Sequence, residues 1–82
     1  MTYEIRISDA AREQLRGLPR EIRRNIGRRI ELLRNDLAGD VKKLHGQKNL
    51  WRLRVGEYRI LFRTTEGIIE VFAVRTRQGA YE

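Results

Sequence analysis

The sequence predicts an α+β fold in two layers. A four-stranded, mainly antiparallel sheet carries a helical hairpin on one face, in the order strand, helix, helix, three strands, within one domain spanning residues 1–82. Three observations predict it. Tyr3, Ile5 and Ile7 alternate with Glu4 and Arg6, the period-2 pattern of a half-buried strand. Ile22, Ile26, Ile30, Leu33 and Leu37 recur at helical spacing and form one apolar stripe. From Leu50 to Val74 the chain returns to strand-like runs, broken at Gly56-Glu57 and at Thr64-Thr65-Glu66-Gly67.

After the first strand, Ser8 and Asp9 supply N-cap chemistry, and Ala11, Leu15 and Leu18 give the first helix its apolar side. Gly17 and Pro19 close that helix, and Pro19 suits the first turn of the second, where its missing N–H is not needed. So short a link folds the two helices back on each other. The second helix is expected to run to Gly39. Its outer surface, with Arg23, Arg24, Arg28 and Arg29, reads as a solvated face more readily than as an RNA-binding one. A polar, basic connector, Val41 to Asn49, follows, with Val41 and Leu44 dipping into the core and His45 read as a surface residue rather than a catalyst.

A two-residue turn at Gly56-Glu57 pairs Val55 with Tyr58, Leu53 with Ile60 and Trp51 with Phe62, making one apolar face. The same register sets Arg54 against Arg59, with Arg52 on that side opposite Leu61. Like charges directly opposed across strands cost roughly 0.2–1 kcal/mol, so a sheet face that collects them suggests an anionic ligand. For the last strand, a three-residue loop with left-handed Gly67 is expected, placing Phe72 and Val74 on the core face and Arg75 and Arg77 toward the arginines; a two-residue Glu66-Gly67 turn would reverse this.

Composition narrows the function. The 18 Lys and Arg against 11 Asp and Glu give +7. Residues 1–40 hold nine basic and seven acidic side chains, and residues 41–82 hold nine and four, so most of the excess lies with the arginine hairpin. A basic domain of this kind points to phosphate-bearing partners or to an acidic protein. There is no cysteine and one histidine, which excludes thiolate metal sites and leaves no zinc set. No metal or small-molecule cofactor is expected. The first residues lack the apolar run of a signal peptide, and no stretch approaches a membrane span, so a cytoplasmic protein is expected. Paired carboxylates, a Ser-His-Asp set, a P-loop and a Gly-rich dinucleotide turn are all missing from the sequence.

Arginines with a tyrosine can still support RNA cleavage. The ribose 2′-OH attacks the adjacent phosphate, and the protein holds that geometry, neutralises the phosphorane and moves protons. Arg52, Arg54, Arg59 and Arg77 suit the charge, because guanidinium forks match phosphate oxygens and stay protonated. Tyr81 is the candidate proton shuttle, and it could equally stack on a base or cover the edge of the core. Lys42, Lys43, Lys48 and Arg75 are the candidate RNA-backbone contacts.

Leu44-x-Gly46, the run Trp51-Arg-Leu-Arg-Val-Gly-Glu-Tyr-Arg-Ile-Leu-Phe62 and Arg77-x-x-x-Tyr81 together resemble the RelE/ParE superfamily of toxins from bacterial toxin–antitoxin systems. The element order matches too, so the resemblance covers essentially the whole chain. The Arg-x-Arg-x-Gly-x-Tyr-Arg core is more specific for the superfamily than for its branch. For the RelE branch the resemblance implies an endoribonuclease that cleaves mRNA on the ribosome, leaving a 2′,3′-cyclic phosphate, with a cognate antitoxin laid over it. It would give basic catalytic roles to Arg52, Arg54 and Arg59, transition-state or leaving-group stabilisation to Arg77, and base or stacking duty to Tyr81. For the ParE branch it implies inhibition of DNA gyrase by protein contact. A non-catalytic basic module that binds RNA or antitoxin is the third reading. The sequence departs from RelE-type relatives in three ways: arginine rather than lysine at 52 and 54, Arg75-Thr76 rather than Gly-His before Arg77, and no C-terminal helix after Tyr81.

Overall fold

The computed structural model describes residues 2–44, 46 and 48–76. The elements are β1 (Glu4–Ile7), α1 (Asp9–Arg16), α2 (Arg20–Leu32), β2 (Val41–Lys43), β3 (Leu50–Val55), β4 (Tyr58–Thr65) and β5 (Ile68–Thr76). They form one sheet in the order β1-β5-β4-β3-β2, antiparallel except for the parallel β1–β5 pair. The two-layer α+β layout is as expected, with one correction: the sheet has five strands, not four. Val41–Lys43, read as connector, pairs with β3 through Val41–Leu53, Lys42–Arg52 and Lys43–Trp51. Three residues with two lysines carry no alternation long enough to register as a strand, so only the edge of β3 reveals it.

Helix α1 starts where its cap chemistry dictates. The Ser8 hydroxyl accepts the Ala11 N–H at 3.1 Å, and Gly17 caps the C-terminus of α1. Pro19 is the N-cap of α2 rather than a residue of its first turn, without a side-chain cap bond, and its carbonyl accepts the Arg23 N–H. The second helix ends earlier than expected, at Leu32 rather than near Gly39. Beyond it the bonds tighten to i→i+3, from Leu33, Arg34 and Asn35 to Ile30, Glu31 and Leu32, and Asp36 and Leu37 turn left-handed. Leu37 still packs on the core, from this turn rather than from a helix. The role of Gly39 is different: at φ 126° it lies so close to Leu53 that a Cβ there would sit 3.2 Å from Leu53 Cδ1. That close approach brings the chain beside β3, where the Asp40 carbonyl accepts the Arg54 N–H.

The core lies between the layers. Ala11, Ile26, Ile30 and Leu33 from the helical side meet Leu53, Val55, Ile60, Phe62, Ile69, Val71 and Val74 from the sheet. Helix α1 packs on β5 and α2 on β3. Trp51 stacks on Phe62 with ring centroids 6.3 Å apart and donates its indole N–H to Thr64 Oγ1. The β3–β4 register is the expected one, from Val55–Tyr58 to Leu50–Arg63.

The β4–β5 connection corrects the expected loop. Thr65 pairs with Ile68 across a two-residue Glu66-Gly67 turn, both residues left-handed at φ 42° and 82°. A regular ladder from that turn would carry Arg75 to the core face. A β-bulge intervenes: Phe62 pairs with Val71 but Leu61 pairs with Ala73, leaving Phe72 as the extra residue. The phase inverts there, so Val74 faces the core and Arg75 the arginines, as expected. Phe72 does not join the core; it emerges on the open face, and that expectation fails. Helix α1 holds the bulge in place: Gln14 Oε1 accepts the Val74 N–H at 2.6 Å, and the Val71 carbonyl accepts the Ser8 N–H.

Candidate nucleic-acid interface

The side of the sheet away from the helices is built by alternation. Wherever a strand sends one residue to the core, its neighbours face outward. In register across β3, β4 and β5 this produces a straight row of three arginines, Arg54–Arg59–Arg75. One step along, β2 and β3 contribute the pair Lys42–Arg52. Cross-strand neighbours lie about 5 Å apart, so five cations occupy a patch only a few strands wide. Among the described residues the acids of this face, Glu4 and Glu70, lie at the opposite side of the sheet, beside Arg6 and Arg63. Charge on the open face is therefore segregated, with the basic end next to the β3–β4 turn.

Arg54, Arg75 and Lys42 are exposed, while Arg52 and Arg59 are half-buried. Arg6, Arg16 and Arg34, which pair with Glu4, Glu13 and Glu31, lie on β1 and the helical side, away from this patch. Among the described residues the Arg52 Nε is shielded from solvent and has no hydrogen-bond partner. A shielded donor without a partner costs about 1–3 kcal/mol, a cost that an anion held by this guanidinium can offset. Three directly opposed like-charge pairs add to the strain. Both costs are of the kind that a bound anion offsets.

Of the nine residues singled out in the sequence, Lys42, Arg52, Arg54, Arg59 and Arg75 come together on this face. Lys43 points to the other face, where its Nζ sits 5.9 Å from the Trp51 ring centroid. Lys48 is exposed in the β2–β3 turn, apart from the row. Arg77 and Tyr81 lie outside the described residues, as does His45. Two residues of the face were not singled out. The Arg63 guanidinium lies 4.3 Å from the centroid of the Phe72 ring on the open side. Alternation from Phe62 places Arg63 there, but the bulge that brings Phe72 beside it has no local sequence signal.

Chemically, the row can hold a phosphodiester by several guanidinium forks and neutralise charge that gathers on it. It cannot supply a base, since guanidinium does not deprotonate in proteins. Among the described residues no group of His, Cys, Asp or Glu is arranged to hold a metal ion, and no helix is long and apolar enough to cross a membrane.

Among the described residues, then, the chain is a small α+β domain whose cationic sheet face is left open by both helices, a surface chemically suited to phosphate. Comparison with known proteins makes the class specific. The family model for the ParE toxin of the type II toxin–antitoxin system parDE matches residues 5–81. Toxin RelE3 of Methanocaldococcus jannaschii is 35% identical over 75 residues, covering 85% of each chain. Among solved structures, a RelB–RelE antitoxin–toxin complex from Methanococcus jannaschii matches with a TM-score of 0.79 and 30% identity, over 93% of this chain and 94% of that one. The RelE–RelB complex from Pyrococcus horikoshii matches with a TM-score of 0.81 and 26% identity, over 98% and 100%. The chain belongs to the RelE/ParE superfamily of type II toxin–antitoxin toxins.

Proposed function

We propose that this toxin is an endoribonuclease that cleaves mRNA on the ribosome and so stops translation. The observation that carries this reading is the Arg54–Arg59–Arg75 row with Lys42–Arg52 beside it, on the sheet face opposite α1 and α2. The attacking group is the substrate's own 2′-OH, which leaves the protein three tasks: alignment, charge neutralisation and proton transfer. Arg52, Arg54 and Arg59 grip the scissile phosphate and stabilise the phosphorane. Arg75 extends the row and, with Lys42, holds the neighbouring backbone, whereas Lys43 and Lys48, which lie elsewhere, have no part in that grip. Arg77 stabilises the departing oxygen, and Tyr81 takes the 2′-OH proton or stacks on a base. The RelE toxins to which the chain is similar occur in complexes with RelB antitoxins, and a cognate antitoxin is the proposed partner here, with the cytoplasm as the place of action.

Primer extension on mRNA from translating ribosomes tests the reading. New 5′ ends should appear with the wild type and vanish with Arg59→Ala and Arg77→Ala. Intact mRNA with the wild type refutes it. A second reading is favoured by the ParE family model that matches the chain: inhibition of DNA gyrase by protein contact. A supercoiling assay separates the two, because a gyrase inhibitor blocks supercoiling without shortening any mRNA.

A further inference from the structure

We propose that Arg63 and Phe72 form a base-stacking platform that fixes one nucleotide of the RNA beside the arginine row; the proposal rests on the RNA-cleaving reading and names a specificity element for it. The bulge takes Phe72 out of the core and presents it, half-buried, on the open face. The Arg63 guanidinium lies over its ring at 4.3 Å, within cation–π range. Arg63 has Glu70 as its cross-strand partner, yet no ion pair joins the two among the described residues. The guanidinium has settled on the ring instead. Arg63 is exposed, so a nucleobase can stack on its outer side and complete a ring–guanidinium–base sandwich.

Position supports the same conclusion. Arg63 is four residues along β4 from Arg59, about 13 Å on the same face. A strand of RNA whose phosphate rests on the arginine row can therefore bring a base one or two nucleotides away over Arg63. Such readout suits single-stranded RNA, whose bases splay out and stack on aromatic rings and guanidinium planes. It favours large π-faces, so purines should be preferred at that one position.

The test uses the full-length toxin and short 2′-O-methyl oligonucleotides, which lack the attacking hydroxyl, each carrying one 2-aminopurine. With the wild type, quenching should be strong at one position only, and an abasic residue there should weaken binding. Phe72→Leu keeps an apolar group, and Arg63→Lys keeps the charge without the planar fork. Each should abolish the quenching and weaken binding about 5- to 150-fold, the range of one stacked base, with the salt dependence unchanged because no charge is removed. Arg63→Lys, on an exposed side chain, remains informative if Phe72→Leu fails to fold. If the wild type binds and Arg54→Ala weakens it, but quenching is uniform along the strand or survives in Arg63→Lys, the platform is overturned and the arginine-row reading stands. If the wild type does not bind these oligonucleotides at all, the platform is overturned, and primer extension on translating ribosomes decides the cleavage reading separately.

Discussion

Replacing both Arg54 and Arg75 by threonine should stabilise the fold while removing its activity. In register, Arg59 lies between these two residues, so the double substitution deletes two directly opposed like-charge pairs. Each such pair costs roughly 0.2–1 kcal/mol, which makes the expected gain about 0.4–2 kcal/mol. For a domain of this size that is a rise in Tm of roughly 2–15 °C. Both positions are exposed, and threonine is a good strand former, so little packing is lost. The origin of the gain is testable through salt. The Debye length is about 30 Å at 0.01 M and about 3 Å at 1 M, so the gain should be largest in dilute buffer and nearly vanish in molar salt. Thermal unfolding by circular dichroism at the two salt concentrations, with primer extension on the same variants, measures both halves. A gain of equal size at both concentrations, or none in dilute buffer, would refute the claim that the row stores electrostatic strain for an anion to relieve.

Other expectations concern the scaffold. Gln14→Ala removes the acceptor of the Val74 N–H at the bulge and should cost about 1–3 kcal/mol in urea unfolding, the penalty for a shielded, unpaired donor; Gln14→Glu, which keeps the oxygen, should cost less. Glu66 holds a left-handed conformation at φ 42° beside Gly67, where Asn-Gly is the favoured pair. Glu66→Asn should therefore stabilise the β4–β5 turn by up to about 1 kcal/mol, read as a higher urea midpoint at unchanged slope. On the helical side, the hydrogen bond from Arg34 holds the Glu31 carboxyl below its usual 4.5. A carboxylate with a lowered pKa contributes stability that is present above the ordinary value and lost as pH falls through the lowered one. Arg34→Gln should return Glu31 to its ordinary titration, seen in the NMR shift of its carboxyl carbon. It should also loosen β1, because Arg34 Nη1 donates to the Tyr3 carbonyl.

Much of the fold was legible because its signals are local. Ser8 and Gly17 mark helix ends through cap chemistry, and Pro19 through its fixed φ and missing N–H, none of which needs a tertiary partner. The Gly56-Glu57 turn, flanked by long alternating runs, allows one register that keeps Trp51, Leu53, Val55, Tyr58, Ile60 and Phe62 on a single face. The end of α2 was not legible. Leu33 and Leu37 continue the apolar stripe, yet the backbone leaves the helix and delivers Leu37 to the core from a turn. Spacing alone cannot distinguish the two routes to one contact.

By itself, the sequence determined the two-layer class, the hairpin register and the concentration of arginine on one side of it, because alternation and turn chemistry act within a few residues. The tertiary structure decided the fifth strand, which exists only as a partner for the edge of β3. It also decided the bulge at Phe72. The Glu66-Gly67 turn alone would send Arg75 into the core, where an unpaired charge is prohibitive. One extra residue, anchored by Ser8 and Gln14 of a distant segment, inverts the strand's phase. That inversion buries Val74, completes the row at Arg75 and delivers Phe72 to Arg63.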